Sequence, residues 1–292
     1  MFKEYLKLIR VVQWIKNIFV FIPLIFSKHL FESTYFLEAF LGFIAFCFAS
    51  SAVYIVNDLF DLEADRKHPV KKKRPIASGS ISKSKAKTIL FALLVLNVLL
   101  LSFLPVYFGI ITAVYFFLNL AYTIKLKKVV LLDIFSIAAG FMLRVAGGGY
   151  VIDVPISSWL ILTTMFLSLL LAVLKRRSEL ELTESPDKGG VRKVLGDYSL
   201  VFLDQMATVA SSGVVIFYAL YTVSPRTIEI FGTENLIYTS PFILFGVFRY
   251  MFLVMRDKSG EYTTEIILKD VAMVLNAIIY AIFIILIVYY KF

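Results

Sequence analysis

Residues 36–65, FLEAFLGFIAFCFASSAVYIVNDLFDLEAD, contain a long apolar run that ends in a series of acidic side chains. The apolar part, residues 36–58, has about the length of 20 residues that a helix needs to cross a lipid bilayer. Glu38 is its only charged residue before the acidic end. This stretch predicts a membrane-spanning helix whose end carries carboxylates at one membrane surface.

Eight further apolar runs flank this one along the chain. The nine predicted spans lie near residues 12–30, 36–58, 87–104, 107–124, 129–150, 157–174, 200–223, 237–255 and 271–290. The composition agrees, because 60% of the 292 residues are hydrophobic and 17% are charged, whereas soluble domains have about 45–50% and 25%. We therefore predict an all-α integral membrane protein, with residues 1–292 forming a single polytopic domain.

The 30 Lys and Arg residues lie almost entirely on one side of these spans. That side holds the N-terminal segment with Lys3, Lys7, Arg10 and Lys16, the loop at 66–87, the loop with Lys125, Lys127 and Lys128, and the loops at 175–193 and 256–269. The other side holds only Lys28, Arg226 and Lys291. Because cytoplasmic loops are rich in Lys and Arg, we predict a cytoplasmic N-terminus and an external C-terminus. The net charge of +9 then reflects topology and not a nucleic-acid partner.

A small number of side chains limits the possible chemistry. Cys47 is the only cysteine and it lies within an apolar run, so an intrachain disulfide is excluded. One cysteine and two histidines also argue against a transition-metal centre, which needs several such ligands.

The acidic segment is the most informative part of the sequence. Asp58, Asp61 and Asp65 have the spacing i, i+3, i+7, which places three carboxylates and the neighbouring Asn57 on one face of a helix. Like charges repel there, and a divalent cation relieves the repulsion. Oxygen ligands without His or Cys favour Mg²⁺. The simpler interpretation is a solvated acidic helix end, and we expect Glu63, off this face, to be structural.

Basic residues follow at once, and two interpretations stay open for them. Arg66, Lys71 and Arg74 either hold the loop inside or bind phosphate oxygens beside the metal. His68 either donates to a phosphate or caps a turn. If a phosphate is bound here, the expected ligand is a metal-bound diphosphate.

A second polar segment follows the sixth span. Lys175, Arg176, Arg177 and Glu179 form either a second cytoplasmic cap of the site or a set of helix ion pairs and topological anchors. Within the spans, Arg249 could reach a phosphate near the cytoplasmic surface. Arg144 lies deeper and predicts a structural pairing, and Gly147–Gly149 predicts close helix approach or a break.

These residues resemble the UbiA superfamily of intramembrane prenyltransferases, whose signature Asn-Asp-x-x-Asp-x-x-x-Asp is matched by Asn57, Asp58, Asp61 and Asp65. The branch of decaprenyl-phosphate phosphoribosyltransferases is similar also at residues 14–17, 68–77, 175–180, 248–250 and 269–270. The resemblance implies a nine-helix UbiA-like bundle with cytoplasmic polar caps, and a role in cell-wall biosynthesis. It implies that Asp58, Asp61 and Asp65 bind the metal and are catalytic. It implies substrate binding by Lys16, Asn17, Asn57, Arg66, His68, Lys71, Arg74, Lys175, Arg176, Arg177, Glu179, Tyr198 and Arg249.

The sequence departs from the wider superfamily at one point. Typical members have a second aspartate-rich motif after the sixth span, where this chain is mostly basic. A basic cap suits extra phosphates, so the resemblance implies Mg²⁺-dependent transfer of phosphoribose from phosphoribosyl diphosphate to a polyprenyl phosphate at the cytoplasmic face. The nearest alternative is prenyl transfer from a prenyl diphosphate lipid to an aromatic or lipid acceptor. A transporter and a structural scaffold are further alternatives, but each explains the clustered carboxylates less well. In every case the protein would contact membrane lipids.

Overall fold

The computed structural model describes residues 2–68, 70–183, 193–256 and 269–290. Within these ranges the chain forms α-helices and short 3₁₀-helices, and no β-strand occurs among them. The α-helices are α1 Phe2–Leu8, α2 Ile22–Phe26, α3 Ser33–Phe60, α4 Leu62–Lys67, α5 Lys83–Leu101, α6 Val106–Ile124, α7 Leu132–Val151, α8 Ser158–Thr183, α9 Leu200–Thr222, α10 Pro225–Phe231, α11 Ser240–Arg256 and α12 Val271–Tyr290. The 3₁₀-helices are Val11–Phe21, Lys71–Lys73, Leu126–Lys128, Lys193–Asp197 and Asn235–Thr239.

Eight helices of the described ranges are long and apolar enough to cross a membrane, and a bent pair at the N-terminus raises the number to nine. The predicted all-α fold with nine spans is therefore confirmed. The N-terminal span is the irregular one, because α1 and the segment Val11–Phe26 meet at 48°. Arg10, at the joint, has left-handed backbone angles (φ 52°, ψ 52°), which residues other than glycine rarely adopt.

Local sequence signals set several helix ends. Ser82 and Ser199 accept hydrogen bonds from the backbone N–H of Lys85 and Phe202, so each caps the start of its helix, α5 and α9. α10 begins with Pro225 after the cap Ser224, and it ends at Gly232 with a φ of 69°. Glycine has no Cβ to resist that angle, which makes Gly232 a natural helix stop.

The described chain divides into two compact units. The first consists of Met1–Ile25, His29–Ser136 and Leu143–Pro155, and the second of Phe26–Lys28, Ile137–Met142 and Ile156–Phe292. The single domain predicted from the sequence stays a prediction.

In the first unit α3 is the central helix, and it packs against α5, α6 and the 3₁₀-helix Val11–Phe21. Phe46 is fully buried and meets the rings of Phe108 and Tyr115 edge-on, at centroid distances of 5.7 and 5.4 Å. A Cβ at Gly148 would lie 2.1 Å from the carbonyl oxygen of Val20. The close approach predicted for the glycine run is thus confirmed, with α7 lying directly against the N-terminal span.

In the second unit α8 and α9 form an extensive helix pair, and α11 packs against α12. The side chain of Phe166 fills the space beside Gly213, where a Cβ would lie 2.1 Å from it. Three hydroxyl groups are linked inside this unit, because Tyr218 lies 2.5 Å from the Thr239 hydroxyl and accepts from Tyr280 at 3.1 Å. Hydrogen bonding makes the burial of these polar groups tolerable.

Candidate active site

The acidic segment forms the joint between two helices. Helix α3 ends at Phe60, and Asp61 (φ −90°, ψ 9°) connects it to α4. Backbone hydrogen bonds cross the joint, from Asp61 N to the Asn57 carbonyl at 2.9 Å and from Asp65 N to the Asp61 carbonyl at 2.8 Å. Because the helix is interrupted at Asp61, the three aspartates do not lie on one face of a single continuous helix. This corrects the prediction made from their spacing.

Asp58 and Asp65 converge on one guanidinium group. Nη1 of Arg74 donates to Asp58 Oδ1 at 3.1 Å and to Asp65 Oδ2 at 2.6 Å. Nη2 of Arg10 also donates to Asp58 Oδ1, at 2.5 Å, and the Arg10 guanidinium lies 4.5 Å from the centre of the Tyr54 ring. Both carboxylates are buried, with 2% and 4% of their surface exposed. Arg10 precedes these two aspartates in the sequence and Arg74 follows them, and together the arginines neutralise the two buried negative charges.

The third carboxylate, Asp61, has a different partner. Nζ of Lys127, in the link between α6 and α7, donates to its two oxygens at 2.7 and 2.6 Å. Asn57 lies about one helical turn before Asp61 in the sequence. Its Oδ1 accepts a weak hydrogen bond from the Thr123 hydroxyl of α6 at 3.4 Å. The structure therefore places the loop after α6 at the acidic segment.

The chemistry of these groups suits a hard divalent cation. Among the residues that the structure describes, no three His, Cys, Asp or Glu side chains are gathered as ligands of one metal ion. Asp58 and Asp65, however, already converge on a single positive group, and Asp61 and Asn57 add oxygen donors nearby in sequence. Carboxylate and amide oxygens are ligands that Mg²⁺ accepts, together with substrate phosphates.

Arg10 and Lys127 are the site residues that the sequence did not identify. Both were counted only as inside-positive residues, yet they pair with Asp58 and Asp61 across 48 and 66 positions of the chain. No local spacing links residues so far apart. The one signal available was that the short loop with Lys127 lies on the same predicted side of the membrane as the acidic segment.

The basic stretch after the acidic segment contains several kinds of contact. Arg66 pairs with Glu63 on the exposed side of α4 at 3.1 Å, so Glu63 has the structural role expected. Nδ1 of His68 accepts from the backbone N–H groups of Val70 and Lys71 at 3.2 and 3.3 Å. Of the two interpretations of His68, the structure supports the turn cap. Lys71 opens the 3₁₀-helix Lys71–Lys73.

Lys16 and Asn17 lie on the 3₁₀-helix Val11–Phe21. Asn17 is fully buried, and its Nδ2 donates to Cys47 Sγ at 3.2 Å and to the Ser50 hydroxyl at 3.3 Å. Its Oδ1 accepts from Nε of Arg144 at 2.7 Å. Arg144 also donates to the Tyr115 hydroxyl at 2.9 Å, which gives it the structural pairing that its depth in the sequence predicted.

In the second unit, the end of α8 carries paired arginines. Arg176 is fully buried and pairs with Glu179. Arg177 donates to Asp204 at 2.5 Å and to Glu181 at 2.9 Å. The pair of Arg176 with Glu179 is one of the helix ion pairs that the sequence suggested for this segment. Residues 184–192, which belong to the polar segment predicted after the sixth span, lie outside the described residues.

Tyr198 and Arg249 are the remaining predicted site residues of this unit. Tyr198 is buried, and its ring stacks on Phe202 at 6.3 Å. Arg249 donates to both oxygens of Asp270, at 3.2 and 2.8 Å. Its guanidinium holds the pKa of the Asp270 carboxyl below the usual range. A groove of about 430 Å³ lies beside Arg249 and is lined by Pro241, Leu244, Phe245, Phe248, Arg249 and Phe252.

Comparisons with known proteins agree with this picture. The sequence model of the UbiA prenyltransferase family matches residues 18–266. The decaprenyl-phosphate phosphoribosyltransferase of Mycolicibacterium smegmatis is 35% identical over 223 residues, which are 75% of this chain and 70% of that protein. The enzyme of the same name from Corynebacterium glutamicum is 37% identical over 221 residues, which are 74% and 66% of the two chains.

The fold also has a solved counterpart. The structure of a UbiA homolog from Archaeoglobus fulgidus bound to GPP and Mg²⁺ superposes with a TM-score of 0.73, covers 96% of each chain and is 20% identical. At that identity the likeness establishes the UbiA-like fold, as the sequence predicted.

Proposed function

Because the chain belongs to the UbiA prenyltransferase family, we propose that this integral membrane protein transfers 5-phosphoribose from phosphoribosyl diphosphate to a polyprenyl phosphate and releases pyrophosphate. The observation that carries the proposal is the identity of 35% and 37% with two decaprenyl-phosphate phosphoribosyltransferases. The basic residues Lys175, Arg176 and Arg177 near the end of α8 support it, since this donor has one phosphate more than a prenyl diphosphate.

In this proposal Asp58, Asp61 and Asp65, with Asn57, hold Mg²⁺ against the donor diphosphate. When bound, the ion stabilises the charge that develops on the departing pyrophosphate. Arg10 and Arg74 keep the buried carboxylates in place, because each donates to Asp58.

Basic and polar side chains are proposed to bind the substrates' phosphates and the ribose. They are Lys16, Asn17, Arg66, Lys71, Arg74, Lys175, Arg176, Arg177, Tyr198 and Arg249, with Glu179 positioning Arg176 and His68 capping the turn that leads to Lys71. Arginine and lysine form charge-assisted hydrogen bonds with phosphate oxygens, which are roughly twice as strong as neutral ones. The site is proposed to face the cytoplasm, in one polytopic domain whose N-terminus is inside and whose C-terminus is outside.

The acceptor chemistry needs no strong general base. A phosphate monoester loses its second proton with a pKa of about 6, so the polyprenyl phosphate already carries a nucleophilic oxygen near neutral pH. His68 is the histidine that follows the acidic segment, and its Nδ1 is engaged with two backbone N–H groups. We therefore propose that the protein's side chains contribute in two ways: they position the substrates, and they stabilise the charge that develops on the leaving pyrophosphate.

A second candidate is transfer of a prenyl group from a prenyl diphosphate to an aromatic or lipid acceptor. The fold supports it in general terms, since the Archaeoglobus homolog was solved with GPP and Mg²⁺. Both reactions would place a diphosphate at the same carboxylates, so substrates must distinguish them.

The test supplies purified protein with Mg²⁺, phosphoribosyl diphosphate and a polyprenyl phosphate. We expect pyrophosphate release and a ribosylated lipid, and the loss of both in EDTA. Turnover of a prenyl diphosphate with an aromatic acceptor, and none with phosphoribosyl diphosphate, would reject the first proposal in favour of the second.

Lys127→Met tests whether the metal and Lys127 neutralise the same carboxylate. Without the lysine, the charge of Asp61 is no longer balanced, so the variant is expected to unfold several degrees below the wild type in EDTA. Mg²⁺ is expected to restore most of the difference, which corresponds to about 1–3 kcal/mol for a partly buried ion pair. Thermal unfolding in detergent with EDTA and with Mg²⁺ measures both effects.

The matched control is Lys128→Met, which removes an exposed lysine from the next position. Its unfolding temperature should respond to Mg²⁺ as the wild type does. An equal Mg²⁺ response in Lys127→Met and the control would show that the ion binds elsewhere.

A further inference from the structure

The groove of about 430 Å³ in the second unit lies along one face of α11. The residues that line it recur at helical spacing, so they form a continuous stripe on the side of the helix opposite to the buried Tyr250. Four apolar side chains of the stripe leave 38–61% of their surface exposed: Leu244, Phe245, Phe248 and Phe252. Exposed apolar residues are ordinary on a helix in lipid, so the stripe alone identifies no ligand.

The length of the groove matches one leaflet of a bilayer. Pro241 and Phe252, at its two ends, are separated by about 16 Å along a helix that rises 1.5 Å per residue. The hydrocarbon core of a bilayer is about 30 Å thick, so each leaflet contributes about 15 Å. A molecule that fills the groove from end to end therefore has the length of a phospholipid acyl chain.

Positive charge is concentrated at the Phe252 end of the groove. The guanidinium groups of Arg249 and Arg256 lie 5.4 and 5.8 Å from the centre of the Phe252 ring. Arg249 donates to both oxygens of Asp270, which balances its charge. Arg256 is exposed, and within the described ranges it pairs with no carboxylate. One uncompensated positive charge is left at this end, whereas the residues that line the groove toward Pro241 are uncharged.

An apolar groove with a cation at one end is complementary to an anionic lipid. A cation in the last turn of a helix is favourable by itself, but that effect requires no groove lined by aromatic rings. The sequence predicts Arg256 on the cytoplasmic side, where anionic headgroups attract basic side chains. The headgroup of a zwitterionic lipid has a cation of its own, so it suits this end less well.

We propose that this groove binds one anionic phospholipid. An acyl chain lies along Phe245, Phe248 and Phe252, and the headgroup phosphate accepts hydrogen bonds from Arg256, whose planar guanidinium suits phosphate oxygens. Arg249, held by Asp270, forms the wall between the chain and the headgroup. The lipid is not a substrate of the proposed reaction. It covers the exposed face of α11 and stabilises the second unit.

The test follows thermal unfolding of the delipidated protein in detergent while phosphatidylglycerol, or phosphatidylcholine with the same acyl chains, is titrated. We expect both to stabilise the wild type, phosphatidylglycerol with an apparent affinity about fivefold tighter, the factor expected for one basic residue. Arg256→Gln should bind the two lipids equally. Leu244→Trp, which fills the groove, should lose the stabilisation by both. Native mass spectrometry of the wild type should detect one bound phosphatidylglycerol.

Two matched controls distinguish the groove from the rest of the surface. Lys87→Gln removes an exposed cation of α5, and Leu220→Trp enlarges a side chain of α9 that is as exposed as Leu244. Both should bind the lipids as the wild type does. Equal affinity of the wild type for the two lipids, an unchanged preference in Arg256→Gln, or the same losses in the controls overturn the proposal. Farnesyl phosphate that binds more tightly than phosphatidylglycerol would assign the groove to a prenyl lipid and overturn it too.

Discussion

Asp58→Asn is expected to lower the rate of phosphoribosyl transfer by about 10³-fold, the upper range for removing one group that stabilises transition-state charge. Asp58 is buried and accepts from both Arg10 and Arg74, so the amide removes a metal ligand and also leaves two guanidinium groups facing a neutral side chain. The measurement is the initial rate of pyrophosphate release at saturating Mg²⁺ by protein reconstituted in lipid.

Two companion variants make this result interpretable. Glu63→Gln changes an exposed carboxylate of α4 that pairs only with Arg66 among the described residues, and its rate should stay within about twofold of the wild type. Asp61→Asn removes a carboxylate that is 27% exposed, so its fold is less at risk while its rate should still fall about 10²-fold. Full activity in Asp58→Asn or in Asp61→Asn would falsify the metal assignment.

Gly148→Ala is expected to be the most destabilising single-methyl change in the first unit, by about 3 kcal/mol or more. The new Cβ would lie 2.1 Å from the carbonyl oxygen of Val20 and 2.9 Å from its carbon. Backbone atoms cannot rotate away as a side chain can, so α7 and the N-terminal span must move apart. Denaturant or thermal unfolding of the purified protein measures the loss.

Gly109→Ala is the matched control for this prediction. It adds the same methyl group near the start of α6, at a position where a Cβ meets nothing within 4 Å. Alanine favours a helix over glycine by about 0.5–1 kcal/mol, so this variant should be neutral or slightly more stable. Equal stability of the two alanine variants would show that the close approach at Gly148 does not constrain the fold.

Most of the fold could be predicted because the bilayer imposes its own length on apolar helices. Eight spans required only that runs of about 20 apolar residues be recognised. The irregular N-terminal span was harder, since its 3₁₀ segment depends on Asn17 and Arg144 contacts that join distant parts of the chain. The left-handed conformation of Arg10 has no local signal either, and its partner Asp58 lies far away in the sequence.

The candidate site was predictable where its residues are neighbours in sequence. Asn57, Asp58, Asp61 and Asp65 were identified from their spacing, yet the spacing could not show that the helix breaks at Asp61. Nor could it show that Asp58 and Asp65 both pair with Arg74 while Asp61 pairs with Lys127. Such pairings are decided by packing between elements, and they become visible only when the chain is folded.

The broken N-terminal span has a consequence for how the protein is made. A Lys or Arg near the centre of an inserting helix costs roughly 2.5–3.5 kcal/mol, and this segment carries Arg10 and Lys16 with Asn17 beside them. On α3, Ser50 and Ser51 accept hydrogen bonds from Asn17 and Trp14. The bent N-terminal span is thus poorly suited to enter the bilayer by itself. Because its polar groups bond to α3, which is synthesised after it, we expect the two segments to enter the membrane as a pair.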